Sequence, residues 1–315
     1  MKHYNILLKN KYIYCLPQQH MVKRDNDAEL RELILGNDDT VIDVKSDRYR
    51  IALKRLGYLI LGLVFVLVIW WAVAWYFNTY LIYILEFPTP ETAFERLNEM
   101  FFGSYTISGK GIWAHIQVSL TRWVEGFLTA FVIGLIIGIV ISINDKIYSF
   151  GSVPVNVLQL IPGLAWFPVT LLLFGFGDKS AIFIIAITAI SPIAISIANG
   201  LRRVPKIYVE LAQMSGKTKL ETFLQVLLPY SAMDIVVGLR IGMANGWRML
   251  ISAEMVVGVV VGLGYSIDAA VGIVNYPTAF ASIVIICVIG LIIDKVVLSS
   301  IENYVRNKTG LEAMQ

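Results

Sequence analysis

The chain has 315 residues, 57% of them hydrophobic and 16% charged, with a mean hydropathy of +0.69 and a formal net charge of +3. Soluble domains carry roughly 45–50% apolar and about 25% charged residues, so the composition argues against a soluble enzyme and against a disordered chain. So small a charge over this length supplies little phosphate-directed field, which argues against nucleic-acid binding. Cys15 and Cys287 give neither a disulfide framework nor metal-ligand spacing. The class is a polytopic membrane protein.

Residues 1–55 differ from the rest, with eleven Lys/Arg, eight Asp/Glu and no apolar run long enough to cross a bilayer. His20 and Lys23 to Asp27 read as solvated surface. Ala28 to Leu35 reads as a short helix ended by Gly36. No apolar stretch with a small-residue cleavage site follows the N-terminal charges, so this is not a secretory signal. Met21 offers an alternative start, which mass spectrometry of the natural N-terminus would decide.

A transmembrane helix needs about 20 apolar residues. Six candidates follow Arg55: 56–77, 120–143, 154–175, 181–200, 236–260 and 279–298. The first ends in Trp70, Trp71, Trp75 and Tyr76, suited to an aromatic belt. The third is broken by Pro154, Pro162 and Pro168, which places it inside the bundle, where neighbours satisfy the freed carbonyls. Gly134 with Gly138, Gly238 with Gly242, and Gly258 with Gly262 are small-residue pairs that permit close helix packing. With the N-terminus in the cytoplasm, the inner segments hold 20 Lys/Arg and the outer segments 4, so both termini are expected inside.

Between spans four and five lies a loop, 201–230, too long for a plain turn. Leu211, Met214, Leu220, Phe223, Leu224 and Leu227 keep helical spacing on either side of Gly216, where a left-handed turn residue is expected. Pro229 ends the second helix or opens the next span. This describes a helix–turn–helix fitted either to a groove on a soluble partner or to the membrane interface.

Glu210, Ala212, Gly216, Leu228 and Pro229, with Val226 in place of an isoleucine, resemble the cytoplasmic loop of permease subunits of ATP-binding-cassette importers. That loop reads Glu-Ala-Ala, three residues, Gly, nine residues, Ile, one residue, Leu-Pro; Leu211 departs from the second alanine. The resemblance covers about 86–300. Pro88-Thr89-Pro90, His115 with Ser119-Leu120 and Arg122, and Gly134 with Gly138 look like the sulfonate, taurine, nitrate and bicarbonate branch. So do Ile161-Pro162 with Pro168, Phe174 to Gly177, Gly238 to Arg240, Trp247, Ala253-Glu254 and Gly262-Leu263-Gly264. It implies an all-α type I importer permease fold of six transmembrane helices in the plasma membrane, working as a homodimer. Residues 1–55 would be an extension of unknown role, 56–300 the permease and 301–315 a cytoplasmic tail. Cytoplasmic ATPase subunits would dock on the loop and an external solute-binding protein would deliver the solute. The chain itself would be no enzyme and bind no cofactor, the ATP being used by its partners.

Three decoys give way to plainer readings. Gly216-Lys217-Thr218 imitates a phosphate-binding loop, but Leu211 stands where that loop needs glycine. His115, beside Trp113 in the outer segment, has no second metal ligand near it. Asp145-Lys146 and Asp178-Lys179 are turn residues and interface anchors at membrane edges.

Charges within spans suggest function. Arg240 lies near the inner end of span five, where it can snorkel. Asn245, Arg248 and Ser252 share one helix face, while Glu254 points elsewhere with Trp247. Arg248 either lines a pathway that favours anions or pairs structurally; Glu254 either belongs to the pathway or bonds across to another span. Asp268 and Asp294 have no partner at short spacing, and no catalytic set of Ser/His/Asp or Cys/His type occurs in the spans. The resemblance, with the weaker argument from Arg248, implies as solute a small anion such as a sulfonate, taurine, nitrate or bicarbonate. The alternative is a self-sufficient ion-coupled transporter or channel, which calls for paired ionisable groups and broken helices in two halves.

Overall fold

The structure, a computed structural model, describes residues 6–9, 12–15, 21–23, 44–80 and 86–309. The helix expected at Ala28 to Leu35 lies outside them. The chain divides into two compact units, 1–69 with 312–315, and 70–311.

In the first unit, β1 (Ile6–Lys9), β2 (Tyr12–Cys15) and β3 (Met21–Lys23) form an antiparallel sheet. Ile6 pairs with Cys15 and Tyr12 with Lys23. Aromatic and β-branched residues such as Tyr12, Ile13 and Tyr14 favour this extended pairing. The sheet adds strands to a chain whose other regular elements, among the described residues, are helices. Helix α1 (Val44–Tyr80) runs through the boundary expected at residue 55 and passes from the first unit into the second.

The second unit contains α2 (Pro90–Phe102), α3 (Ile112–Ser142), α4 (Asp145–Leu160), α5 (Phe167–Phe174), α6 (Asp178–Arg203), α7 (Lys206–Met214), α8 (Lys219–Thr222), α9 (Leu228–Val256), α10 (Leu263–Gly272), α11 (Tyr276–Ile292) and α12 (Ser299–Thr309). Five helical stretches among the described residues are long and apolar enough to cross a membrane: Gly57–Tyr80, Ile112–Ser142, Asp178–Arg203, Lys219–Val256 and Tyr276–Arg306. A sixth forms if the pair α4 and Gly163–Phe174, bent by 99°, counts as one span. The last stretch continues unbroken past residue 300, so no structural boundary marks the expected tail.

The third candidate span corrects the sequence reading in one respect. Pro162 breaks it, as its missing N–H and fixed φ demand, whereas Pro154 is accommodated inside α4 and Pro168 in the first turn of α5. The broken span is nonetheless not the inside of the bundle in a single chain, for Phe150, Leu160 and Leu172 are each more than 80% exposed. The innermost helix is α6. Ala181, Ile184, Ile185, Ala189, Ile193, Ala194, Ile197 and Ala198 have no exposed surface at all.

Glycines set that position. A Cβ on Gly138 of α3 would stand 2.7 Å from the Ala194 carbonyl and 2.8 Å from Ile197 Cβ, and one on Gly134 would stand 2.9 Å from Ile193. On the opposite side, a Cβ on Gly242 of α9 would lie 2.7 Å from the same Ile193, and one on Gly238 would strike Ser196. Two small-residue faces therefore clamp α6, a packing mode available where lipid gives no hydrophobic drive between helices. The third expected pair is different. Helix α9 ends at Val256, short of the expected 260, and Gly258 adopts φ +70 where the chain leaves the helix. Gly258 and Gly262 belong to the connection to α10 and form no helix interface.

Gly138→Ala is expected to lower the thermal midpoint of the detergent-solubilised protein by several degrees, since overpacking costs about 1–3 kcal/mol. Gly272→Ala, where nothing stands within 4 Å of the added Cβ, should leave the midpoint within about 1 °C. Equal shifts would show that the close approach of α3 to α6 carries no stability.

Candidate functional site: two polar centres and a helical hairpin

Helix α3 begins at Ile112 and not near residue 120, because the apolar pattern is interrupted by buried polar residues that the structure places inside the helix. His115, Ser119 and Arg122 lie on its inward face, each no more than 5% exposed. They meet Glu254, itself 1% exposed, from the last turn of α9. Arg122 Nη1 donates to Glu254 Oε1 at 2.6 Å and to the Val261 carbonyl at 2.6 Å. Arg122 Nε and Nη2 donate to Asp178 Oδ1, at 3.1 and 2.7 Å, at the start of α6. Ser119 Oγ stands 2.8 Å from both Glu254 oxygens and accepts the Leu263 N–H at 2.8 Å, while the Gly264 N–H donates to Glu254 Oε2 at 2.9 Å.

A buried charge is tolerated only when paired and hydrogen-bonded, and Glu254 has both. With its proton on Nε2, His115 donates to the Ile107 carbonyl at 3.2 Å and accepts the Gly262 N–H at 3.1 Å. The segment between α9 and α10 thus lies across the carboxylate, and only glycine fits there. A Cβ at position 262 would come within 2.5 Å of the Glu254 carboxyl carbon. Residue spacing does not bring Arg122 and Glu254 together, since 132 positions separate them. The signal available in the sequence is Arg122 in one apolar helix and Glu254 in another, together with Gly262-Leu263-Gly264.

The four candidate pathway residues separate. Glu254 belongs to this network. Arg248 Nη2 donates to Asn245 Oδ1 at 2.7 Å, its Nε donates to the Ala244 carbonyl at 3.2 Å, and Ser252 Oγ donates to the Arg248 carbonyl at 3.3 Å. Asn245 and Arg248 line a cavity of about 370 Å³ with Gln159, Pro162, Gly163 and Thr188. Ser252 and Glu254 do not. In the middle of α9, Arg240 pairs with Asp294 at 2.8 Å and Glu302 at 3.0 Å, and Asp294 also stands 3.8 Å from its neighbour Lys295.

The hairpin of α7 and α8 takes the expected turn. Gly216 has φ +77, its N–H donates to the Gln213 carbonyl at 2.9 Å, and the Lys217 N–H donates to the Ala212 carbonyl at 3.1 Å. This is the Schellman closure of α7. Thr218 then caps α8 reciprocally with Glu221, the Thr218 N–H donating to Glu221 Oε2 at 2.7 Å. Gly216-Lys217-Thr218 is therefore a helix stop and a helix start. Ala212 is buried, Val226 and Leu228 are half-buried, and Glu210, Gly216 and Pro229 are exposed. A π turn, Phe223–Leu227, carries α8 into α9, with Pro229 in the first turn of α9. Phe223 and Leu227 pack inward beside Ile197 and Leu201, whereas Leu211, Met214, Leu220 and Leu224 are at least half exposed.

Arg122→Met is expected to destabilise the protein by about 3–5 kcal/mol, because it strands a buried carboxylate. Glu254→Gln in that background should recover part of the loss, read as a coupling energy from thermal unfolding of the four proteins. Strict additivity would mean that charge pairing does not hold this network.

The family model described as binding-protein-dependent transport system inner membrane component matches residues 130–306. The chain is 33% identical over 220 residues to the bicarbonate transport system permease protein CmpB of Synechococcus elongatus, covering 67% of this chain and 77% of that protein. It is 28% identical over 248 residues to the taurine transport system permease protein TauC of Escherichia coli, covering 78% and 88%. A solved structure of the MetNI methionine ABC transporter shares the fold, with a TM-score of 0.51 and 21% identity over 65% of this chain and 96% of that one. With its apolar spans and this match, the chain is a multi-pass membrane protein that belongs to the family of binding-protein-dependent transport system inner membrane components.

Proposed function

We propose that the chain is the permease subunit of an ATP-driven importer, carrying no ATPase of its own and importing a small anion. The observation that supports this most directly is the α7–α8 hairpin. Glu210, Ala212, Gly216, Val226, Leu228 and Pro229 fall at the positions of the importer coupling loop, on a turn whose apolar side chains Leu211, Met214 and Leu220 point away from the chain's own core. Exposed apolar side chains gathered on a short helical hairpin are what a soluble partner's groove would cover. That partner is a cytoplasmic ATPase, which supplies the nucleotide chemistry; this chain binds no cofactor.

In this reading both ends of the chain and the hairpin face the cytoplasm, as the Lys/Arg imbalance favours. Residues 1–55 are an extension, 56–300 the permease and 301–315 a tail. Two copies enclose the pathway in the plasma membrane, and an external solute-binding protein delivers the solute. The face of Asn245, Arg248 and Ser252 lines the pathway, and Glu254 holds its outer end in shape. Relatives named for bicarbonate, taurine, nitrate and aliphatic sulfonates support an anion as the solute. The Arg248 guanidinium agrees with it.

Gly216→Asp tests the assignment. It places a Cβ at φ +77 and a charge on the hairpin, so ATP-dependent uptake by the assembled importer should fall at least tenfold while the amount of chain in the membrane is unchanged. Uptake equal to the unaltered chain would overturn the hairpin's role.

A further inference from the structure

Two features that a membrane normally forbids meet at one place in this chain. The first is broken backbone. Between α4 and the turn Gly163–Trp166 the chain bends by 99° at Ile161-Pro162, and irregular backbone at membrane depth persists only against protein or water. The second is a cation. Arg248 lies eight residues before the end of α9, about 12 Å along the helix from its terminus. It is exposed in the single chain, and no carboxylate among the described residues pairs with it. A guanidinium at that depth is costly in hydrocarbon and demands water or an anion.

We propose that this break and Arg248 together form an oxyanion-binding station on the pathway, with Gln159 and Asn245 as its further donors. The proposal rests on the importer reading and adds to it a second wall, contributed by the broken span. The cavity of about 370 Å³ is lined by Leu158, Gln159, Ile161, Pro162 and Gly163 on one side and by Thr188, Asn245, Arg248 and Met249 on the other. It contains no Asp or Glu, so its charge is that of one guanidinium.

The hydrogen bonds leave N–H donors of Arg248 and Asn245 without a partner among the described residues. Arg248 uses Nε and one N–H of Nη2 internally, which leaves three of its five N–H groups. Asn245 spends its carbonyl oxygen on Arg248, so its two amide N–H groups are free. Thr188 has already committed its hydroxyl proton to the Ile184 and Ile185 carbonyls at 2.9 Å. The bend is fixed against this wall, because a Cβ on Gly163 would strike Met249 Sδ and lie 2.7 Å from Thr188 Cγ2. A cavity of this size holds a small carboxylate, sulfonate or nitrate-like anion with about ten waters, at roughly 30 Å³ each. Such partly hydrated binding suits a site that must also release its occupant.

The test needs no knowledge of the transported solute. In a full-length chain lacking Cys15 and Cys287, the single cysteine of Gln159→Cys, or of Asn245→Cys on the opposite wall, is exposed to two charged thiosulfonate reagents. One is an anionic ethylsulfonate and the other a cationic ethylammonium, applied to opened membranes so that both faces are reached. The expected result is modification of both positions, at least fivefold faster by the anionic reagent, with the preference at Gln159→Cys falling below twofold when Arg248→Ala is added. Cysteines inert to both reagents would overturn the station, as would an anionic preference that survives loss of Arg248. Gly216→Asp separates this outcome from the larger reading. An inert cysteine in an importer that still depends on Gly216 removes the station alone, and a reactive cysteine in a chain whose transport ignores Gly216 and ATP keeps the station and removes the importer.

Discussion

A carboxylate with no exposed surface inside a helical bundle must be answered by its surroundings, and Glu254 is answered from three directions. Arg122 supplies the charge from α3, Ser119 a hydroxyl from the same helix, and Gly264 a backbone N–H from beyond the end of α9. Because Arg122 also holds Asp178 at the start of α6, one guanidinium ties α3 to the start of α6, the last turn of α9 and the connection to α10. An isolated pair would gain little over apolar packing. Here the pair has a positional consequence, since the chain that crosses Glu254 is thin enough to do so only at Gly262 and Gly264.

From that fixed end, α9 reaches the other functional elements without interruption. The stretch Lys219–Val256 begins in the second arm of the hairpin, passes Arg240 and Arg248, and ends at Glu254 and its neighbours. On the importer reading, a displacement of the hairpin would reach the cavity beside Arg248 along this one helical stretch, with no intervening loop. The π turn at Phe223–Leu227 is the one irregularity on the way, and it lies between the exposed hairpin and the first buried turn of α9. Function and packing thus share one helix. Its small residues, Gly238 and Gly242, press on α6 while its polar face looks toward the broken span.

Much of this was legible in the sequence, for identifiable reasons. Apolar runs of spanning length locate helices because the bilayer sets a minimum length, and Gly216 locates the turn because few residues accept positive φ. The failures have physical causes too. The start of α3 is hidden in the sequence because Arg122 and His115 look like loop residues until their partners at Glu254 and Gly262 are known. The Pro-broken span looks like an interior element because freed carbonyls need partners, yet in one chain it lies at the edge, where Phe150 and Leu172 stay exposed. The strands Ile6–Lys9, Tyr12–Cys15 and Met21–Lys23 are too short, and too close to charged residues, to stand out in the sequence pattern. Gln159 carried no signal by spacing, since its nearness to Arg248 depends on a 99° bend.

The most direct test of the account is recovery of the tagged chain from its native membrane in mild detergent, with mass spectrometry of what accompanies it. The account predicts a nucleotide-binding ATPase subunit in near-stoichiometric amount with the unaltered chain. Recovery of the chain alone, with solute flux that follows an ion gradient and is indifferent to ATP, would contradict it.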